Sequence, residues 1–177
     1  MKKPTTLEGR VIVIKDQNGK PIDDIDTDMI FHNKHLHITE LNEMGQYTFG
    51  NLQGWESFPE KAKSGDILIV GKNFGAGSSR QQAVDCFRSL SIQMIVGESF
   101  GAIYKRNAIN SGIPLMIAPE IMIDDLKTGD NIKINLITGE IFNVSNNRSL
   151  KSAIPLSKVQ LDIYQAGTLF DYGRKKE

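Results

Sequence analysis

The chain has 177 residues, 40% of them apolar, a length and composition that fit one soluble domain with a real core. Its 21 lysines and arginines balance 21 acids, which excludes the basic surplus that a nucleic-acid binder needs to neutralise phosphates. A single cysteine, Cys86, excludes an internal disulfide and a self-contained thiolate site for zinc or an iron–sulfur cluster.

The opening MKKPTTLEGR carries positive charge with no apolar stretch behind it, so no secretory signal is expected. No apolar run approaches the ~20 residues of a membrane span. A cytoplasmic location, with neither membrane nor nucleic acid as partner, is the expectation. Val11–Ile14 is an early apolar run, closed by the turn-like DQNGKP. An irregular stretch over about 23–50 follows, first acidic (DDIDTDMIF), then carrying all three histidines. Asp66–Val70, DILIV, reads as a buried strand that stops at Gly71. After a glycine turn, Ala83, Val84, Phe87 and Leu90 share one helical face, and Ser78 with Gln81, or Ser79 with Gln82, has the spacing of a capping box.

Ile92–Gly97 predicts a second strand, Ala102–Asn110 a short helix and Ile113–Ala118 a third strand. Strand, helix, strand, helix, strand implies parallel pairing with right-handed crossovers. The period then changes. Ile132, Ile134 and Leu136 alternate with polar residues, a Thr-Gly-Glu turn intervenes, and Ile141, Phe142 and Val144 return, which is a β-hairpin outside the parallel core. A last helix is predicted from about Ser157 to Gln165, capped by Ser157 and stopped by Gly167, before a solvated tail from about 172 to 177. The fold class is α/β with mixed pairing.

The turn GKNFGAGSSR concentrates the chemistry. A strand that ends in glycines and feeds a helix aims backbone N–H groups and a positive dipole at one spot, so an anion is the natural guest. A phosphate loop would end in Gly-Lys-Ser/Thr, and here Gly-Ser-Ser stands instead. A dinucleotide fingerprint would place its third glycine where Arg80 stands, blocking close helix–strand packing. What the residues do suit is removal of a proton beside a carboxylate. Ser78 and Ser79 offer hydroxyls at a helix mouth, and Arg80 offers a bidentate fork. A plain helix cap with a surface arginine accounts for the same letters.

Other residues invite less. His32, His35 and His37, close to Asp24, Asp26 and Asp28, could ligate a metal, but a polar loop accounts for them and no metal site is assigned. DIDTD follows turn material rather than a strand, which sets an aspartyl phosphotransferase aside. Cys86 reads as inert packing, and Trp55 with Phe58-Pro59 as either core or interface anchors.

GKNFGAGSSR, followed by SIQMIVGESFGAIYKRNAINSGIPL and preceded by DIDTDMI, closely resembles the small subunits of 3-isopropylmalate dehydratase. These are the separate-chain version of the swivelling domain of the aconitase superfamily. The likeness runs from about Gly9 to about Gly167 and is densest over Asp66–Leu115. It implies a single swivelling β/β/α domain over 1–177, a parallel strand–helix–strand core with an added hairpin. It also implies a hydro-lyase that isomerises a branched 2-hydroxy diacid by dehydration and rehydration, as in leucine biosynthesis.

Carried over by the resemblance, Ser78 is the base for the carbon-bound proton, and Ser79 and Arg80 bind substrate carboxylate. Thr27 and Asp28 line the same cleft, and His35, Leu36, His37 and Ile38 occupy a specificity loop. The family's [4Fe-4S] cluster acts as Lewis acid on the departing hydroxyl and needs three cysteines. This chain has one, so the resemblance implies no cofactor here, a cluster on a large partner subunit, and an inert isolated chain. Gln81 and Gln82 stand where the family usually carries Glu-His. Homoaconitase and 2,3-dimethylmalate dehydratase small subunits share the framework, so they remain alternatives. A non-catalytic anion-binding or regulatory module is the alternative from another class.

Overall fold

The computed structural model describes residues 1–119 and 125–175. Seven strands form one sheet: β1 (Thr6–Val13), β2 (Ile67–Val70), β3 (Met94–Gly97), β4 (Leu115–Ile117), β5 (Asn131–Asn135), β6 (Ile141–Asn143) and β7 (Arg148–Leu150), in the order β4-β3-β2-β1-β5-β6-β7. β1 to β4 pair in parallel, and β1 pairs on its other side antiparallel to β5, from which β6 and β7 continue antiparallel.

Parallel strands are covered on both faces and therefore read as unbroken apolar runs. Ile67–Val70 and Met94–Gly97 are buried throughout. Alternation then sorts their side chains into two cores. Ile12, Ile14, Leu68, Val70, Ile95 and Leu115 face one; Val11, Val13, Ile67, Ile69, Met94, Val96 and Met116 face the other. The first core is capped by α4 (Gln82–Ser89) and α5 (Ala102–Asn110) through Ala83, Val84, Phe87, Tyr104 and Ala108. Tyr164 of α6 (Lys158–Ala166) belongs to the second.

Several expectations are met in detail. The Ala102–Asn110 helix has its predicted limits, and α6 begins at Ser157 with a reciprocal capping box to Gln160 and ends at Gly167, whose φ is 115°. The antiparallel hairpin lies outside the parallel core, as expected, and joins the same sheet through β1. Other expectations are corrected. β1 starts five residues before the apolar run at Val11, because Thr6–Arg10 pairs with β5. β7 and a last helix, α7 (Leu169–Arg174), were not expected, and α7 takes in the start of the predicted tail. The predicted loop over 23–50 contains α1 (Thr27–Ile30), α2 (Leu41–Met44) and two single-turn 3-10 helices, Asn33–His35 and Gly45–Tyr47; α3 (Phe58–Lys61) follows it. The helix after the glycine turn starts at Gln82, with no side-chain cap, so neither serine makes a capping box.

Candidate active site

The glycine loop leaves the carboxyl end of β2, where ligands of parallel sheets gather. Its course is fixed from two sides. On one, the chain before α1 lies alongside it: the Gly75 N–H donates to the Ile25 carbonyl at 2.7 Å and the Thr27 N–H to the Ala76 carbonyl at 3.0 Å. On the other, the Gly101 N–H donates to the Phe74 carbonyl at 2.9 Å, and Tyr104 packs beneath Gly75. Gly75 has φ 76° and Gly77 φ 94°. A Cβ on Gly75 would enter the Tyr104 ring, so glycine is needed there for both conformation and space.

Below the loop, Phe74 stacks edge-on against Tyr104 and Phe100, with ring centres 5.4 and 6.2 Å apart. Burial raises the Tyr104 phenol well above its ordinary pKa. Its hydroxyl stays protonated and donates to the Ala83 carbonyl at 3.0 Å. The loop rests on a rigid aromatic floor.

Ser78 lies on the exposed crest of this loop, four residues before α4. Its carbonyl accepts a hydrogen bond from the Thr27 hydroxyl at 3.0 Å, while its own Oγ has no partner among the described residues. Ser79 differs: its Oγ accepts from Asn107 Nδ2 at 3.1 Å. Backbone N–H groups of Gly77, Ser78, Ser79 and Arg80 likewise make no hydrogen bond among the described residues, leaving four donors for a guest.

Arg80 is anchored rather than loose. Its Nη1 donates to Asp28 Oδ1 at 2.9 Å and to the Phe31 carbonyl at 2.7 Å. Among the described residues its Nε and Nη2 have no partner, and that edge of a guanidinium matches a carboxylate. Asp28 is the hub of the anchor. It also accepts from the Asn33 N–H at 2.9 Å and from Asn51 Nδ2 at 3.1 Å. Partial burial works to raise the Asp28 pKa, but the hydrogen bonds from Arg80 and Asn33 and the nearby charges outweigh it and hold the carboxyl below its ordinary value. Thr27 is 3% exposed, so its hydroxyl shapes the loop from beneath.

The stretch at 35–38 divides. His35 stacks on Tyr47 with ring centres 4.0 Å apart, and burial, then the electrostatic influence of its basic neighbours, lowers its pKa. Ile38 is buried in the first core, while Leu36 and His37 face out. Gln82 Nε2 donates to the Leu36 carbonyl at 3.3 Å, tying this stretch to the start of α4. Gln81 Nε2 donates to Ser111 Oγ at 2.8 Å. Gln81 Nε2 also donates to Asp85 Oδ1 at 3.2 Å, so the two glutamines join the site to its surroundings through side-chain hydrogen bonds. Sequence reading did not single out Asn107, Asn51 or Asn33; only the arginine-asparagine pair Arg106-Asn107 inside the resembling stretch hinted at one of them.

No iron–sulfur cluster fits this chain's residues. Cys86 is fully buried, and burial pushes its thiol up to about 12. Among the described residues no three His, Cys, Asp or Glu side chains gather as a metal site, the three histidines included. Trp55 donates from its indole to the Lys15 carbonyl at 2.9 Å, and Phe58 is fully buried, so both serve the core.

A mixed sheet with a serine-bearing glycine loop at its parallel end defines a swivelling domain of the aconitase type. Residues 14–120 match the family described as the aconitase C-terminal domain, and the chain belongs to that family. It is 36% identical to the methanogen homoaconitase small subunit of Methanocaldococcus jannaschii, over 94% of each chain. It is 37% identical to the isopropylmalate/citramalate isomerase small subunit of the same organism, over 93% of this chain and 95% of that one. With the 3-isopropylmalate dehydratase small subunit of Caldicellulosiruptor bescii it shares 33%, over 91% and 95%. A crystal structure of 3-isopropylmalate dehydratase from Methanocaldococcus jannaschii superimposes with a TM-score of 0.84, at 33% identity over 97% of this chain and 95% of that one.

Proposed function

We propose that this chain is the small subunit of a hydro-lyase that isomerises a branched 2-hydroxy dicarboxylic acid, with 3-isopropylmalate as substrate and leucine biosynthesis as the setting. The observation that carries the reading is the contrast between two adjacent serines. Ser78 has an exposed hydroxyl with no partner among the described residues, on a loop held rigid from both sides, whereas the Ser79 hydroxyl is engaged.

This chain's half of the reaction is the proton. Ser78 Oγ removes the carbon-bound proton next to a substrate carboxylate and returns it to the neighbouring carbon on rehydration. Ser78 reacts as its alkoxide, which the free N–H groups of the loop stabilise before it takes the proton and becomes a neutral hydroxyl, an arrangement that works best when fixed in advance. Arg80 presents its Nε/Nη2 edge to one substrate carboxylate while Asp28 and the Phe31 carbonyl hold its other edge still. Ser79 binds the same group, and Thr27 sets the height of Ser78. The [4Fe-4S] cluster belongs to a large partner subunit, as the relatives' small-subunit names and the lone buried thiol support. Among the described residues no helix is long and apolar enough to cross a membrane, which fits work in the cytoplasm.

The test is reconstitution with the cluster-bearing partner. Turnover is expected only in the mixture, and Ser78→Ala should lower kcat by about 10²–10⁴-fold, the usual worth of a positioned base. A mutant that keeps its rate removes Ser78 from the reaction, and failure to turn over any hydroxy diacid leaves a non-catalytic anion-binding module. One observation favours a second substrate: the homoaconitase relative is as similar as the dehydratase ones. Isopropylmalate, homocitrate and dimethylmalate compared in one reconstituted preparation decide among them.

A further inference from the structure

We infer that Asn107 is a positioning residue that fixes the direction of the Ser79 hydroxyl, so that Ser79 meets the substrate as a hydrogen-bond donor. The inference rests on the reading of Ser79 as a carboxylate-binding group.

A serine hydroxyl has one proton and two lone pairs, and it rotates freely unless something holds it. Asn107 Nδ2 lies 3.1 Å from Ser79 Oγ and donates to it. An occupied lone pair on that side turns the O–H proton away from Asn107. Ser79 is exposed and makes no other side-chain hydrogen bond among the described residues, so the proton is directed at the open side of the loop. A carboxylate only accepts hydrogen bonds, so a hydroxyl already turned to donate loses little freedom on binding it. An asparagine amide does not titrate near neutrality, and this polarity is independent of pH.

Asn107 is itself well placed to hold a fixed position. It lies one turn beyond Tyr104 on α5, and these i, i+3 neighbours share a helix face. Tyr104 is buried beneath Gly75, and Gly101, at the start of α5, packs on the Gly75 carbonyl. The far end of the helix is tied to Gln81 through Ser111 Oγ, just beyond Arg80. One helix therefore touches the loop before, at and after the Ser-Ser-Arg run. Ser78, whose deprotonated oxygen must accept a proton rather than donate one, is left out of that grip.

The experiment is a double-mutant cycle in the reconstituted complex, using Ser79→Ala, Asn107→Ala and the pair together, with Asn107→Asp as a reversed-polarity variant. Each alanine variant should raise KM about tenfold with kcat within about threefold, as expected for one hydrogen bond to a carboxylate bound in the ground state. The double variant should be no worse than Ser79→Ala alone, because Asn107 acts only through Ser79. Asn107→Asp keeps the shape but accepts from Ser79, turning its proton inward, and should weaken binding more than Asn107→Ala. Titration calorimetry of a non-reacting 2-alkylsuccinate reads the same cycle as Kd, without turnover. Multiplicative effects in the cycle, or Asn107→Asp binding as well as wild type, overturn the inference. A Ser78→Ala variant that stays active would instead overturn the proposed base while leaving the Ser79–Asn107 coupling to stand or fall by itself.

Discussion

Replacing Thr27 by valine removes one hydroxyl and keeps the shape, which isolates its hydrogen bond to the Ser78 carbonyl at 3.0 Å. Thr27 is 3% exposed, so valine meets a buried setting that suits it. The lost bond is neutral, and the Ser78 carbonyl, on an exposed residue, can take water in its place, so the stability loss should be about 1 kcal/mol. For a chain of this length that is about 2–4 °C in Tm. The effect on catalysis should be out of proportion. The Thr27 N–H still holds Ala76, but the crest carrying Ser78 loses its support. A displacement of ~1 Å at a reacting group costs about 10²-fold, so a fraction of that should lower kcat about tenfold with KM little changed. Thermal melts of the isolated chain and steady-state kinetics of the complex read the two effects separately. If Tm falls as expected while kcat stays within about twofold, Thr27 does not position the base.

Three further outcomes follow from the same geometry. Because the Asp28 carboxyl sits below its ordinary pKa in the folded chain, its contribution is complete above the ordinary carboxylate range and is lost as pH falls through the lower folded value. The gap in denaturation midpoint between wild type and Asp28→Asn, open at neutral pH, should therefore narrow below about pH 4. Gly19 and Gly75 share φ 76°, but only Gly75 faces a side chain, that of Tyr104. Gly19→Ala should cost about 1 kcal/mol and Gly75→Ala about 3 kcal/mol or more in urea unfolding, and equal losses would show that conformation alone dictates glycine there. Buried Cys86, its thiol pushed up to about 12, should resist alkylation at pH 8 in the native chain and react at once in denaturant. Labelling before unfolding would contradict that.

The legible parts of the sequence were those whose neighbours demand one residue type throughout. Ile67–Val70 and Met94–Gly97 have apolar surroundings on both faces and read as runs; Ser157 and Gln160 cap a helix within four residues. The serines of the loop have the spacing of a helix cap without acting as one. Local spacing predicts a cap, but the Ser78 carbonyl is engaged by Thr27 and the Ser79 hydroxyl by Asn107, partners 51 and 28 residues away. Tertiary hydrogen bonds displaced the local ones. β7 escaped notice because Arg148–Leu150 is a mostly exposed edge with no apolar alternation to betray it. The grip of Asp28 on Arg80 was invisible for the same reason as the asparagines: nothing in spacing joins residues 52 apart.

β1 sits in the middle of the sheet, with β2 on one flank and β5 on the other. The stretch that matches the family, residues 14–120, begins after β1 and ends ahead of β5, so it contains neither. Lifted out alone, that stretch would lose the partner of β2 and present a bare row of backbone donors and acceptors along it, an invitation to edge-to-edge aggregation. A nascent chain must wait for residue 135 before the seam between β1 and β5 closes, so the middle of the sheet is completed by a pairing across more than a hundred residues.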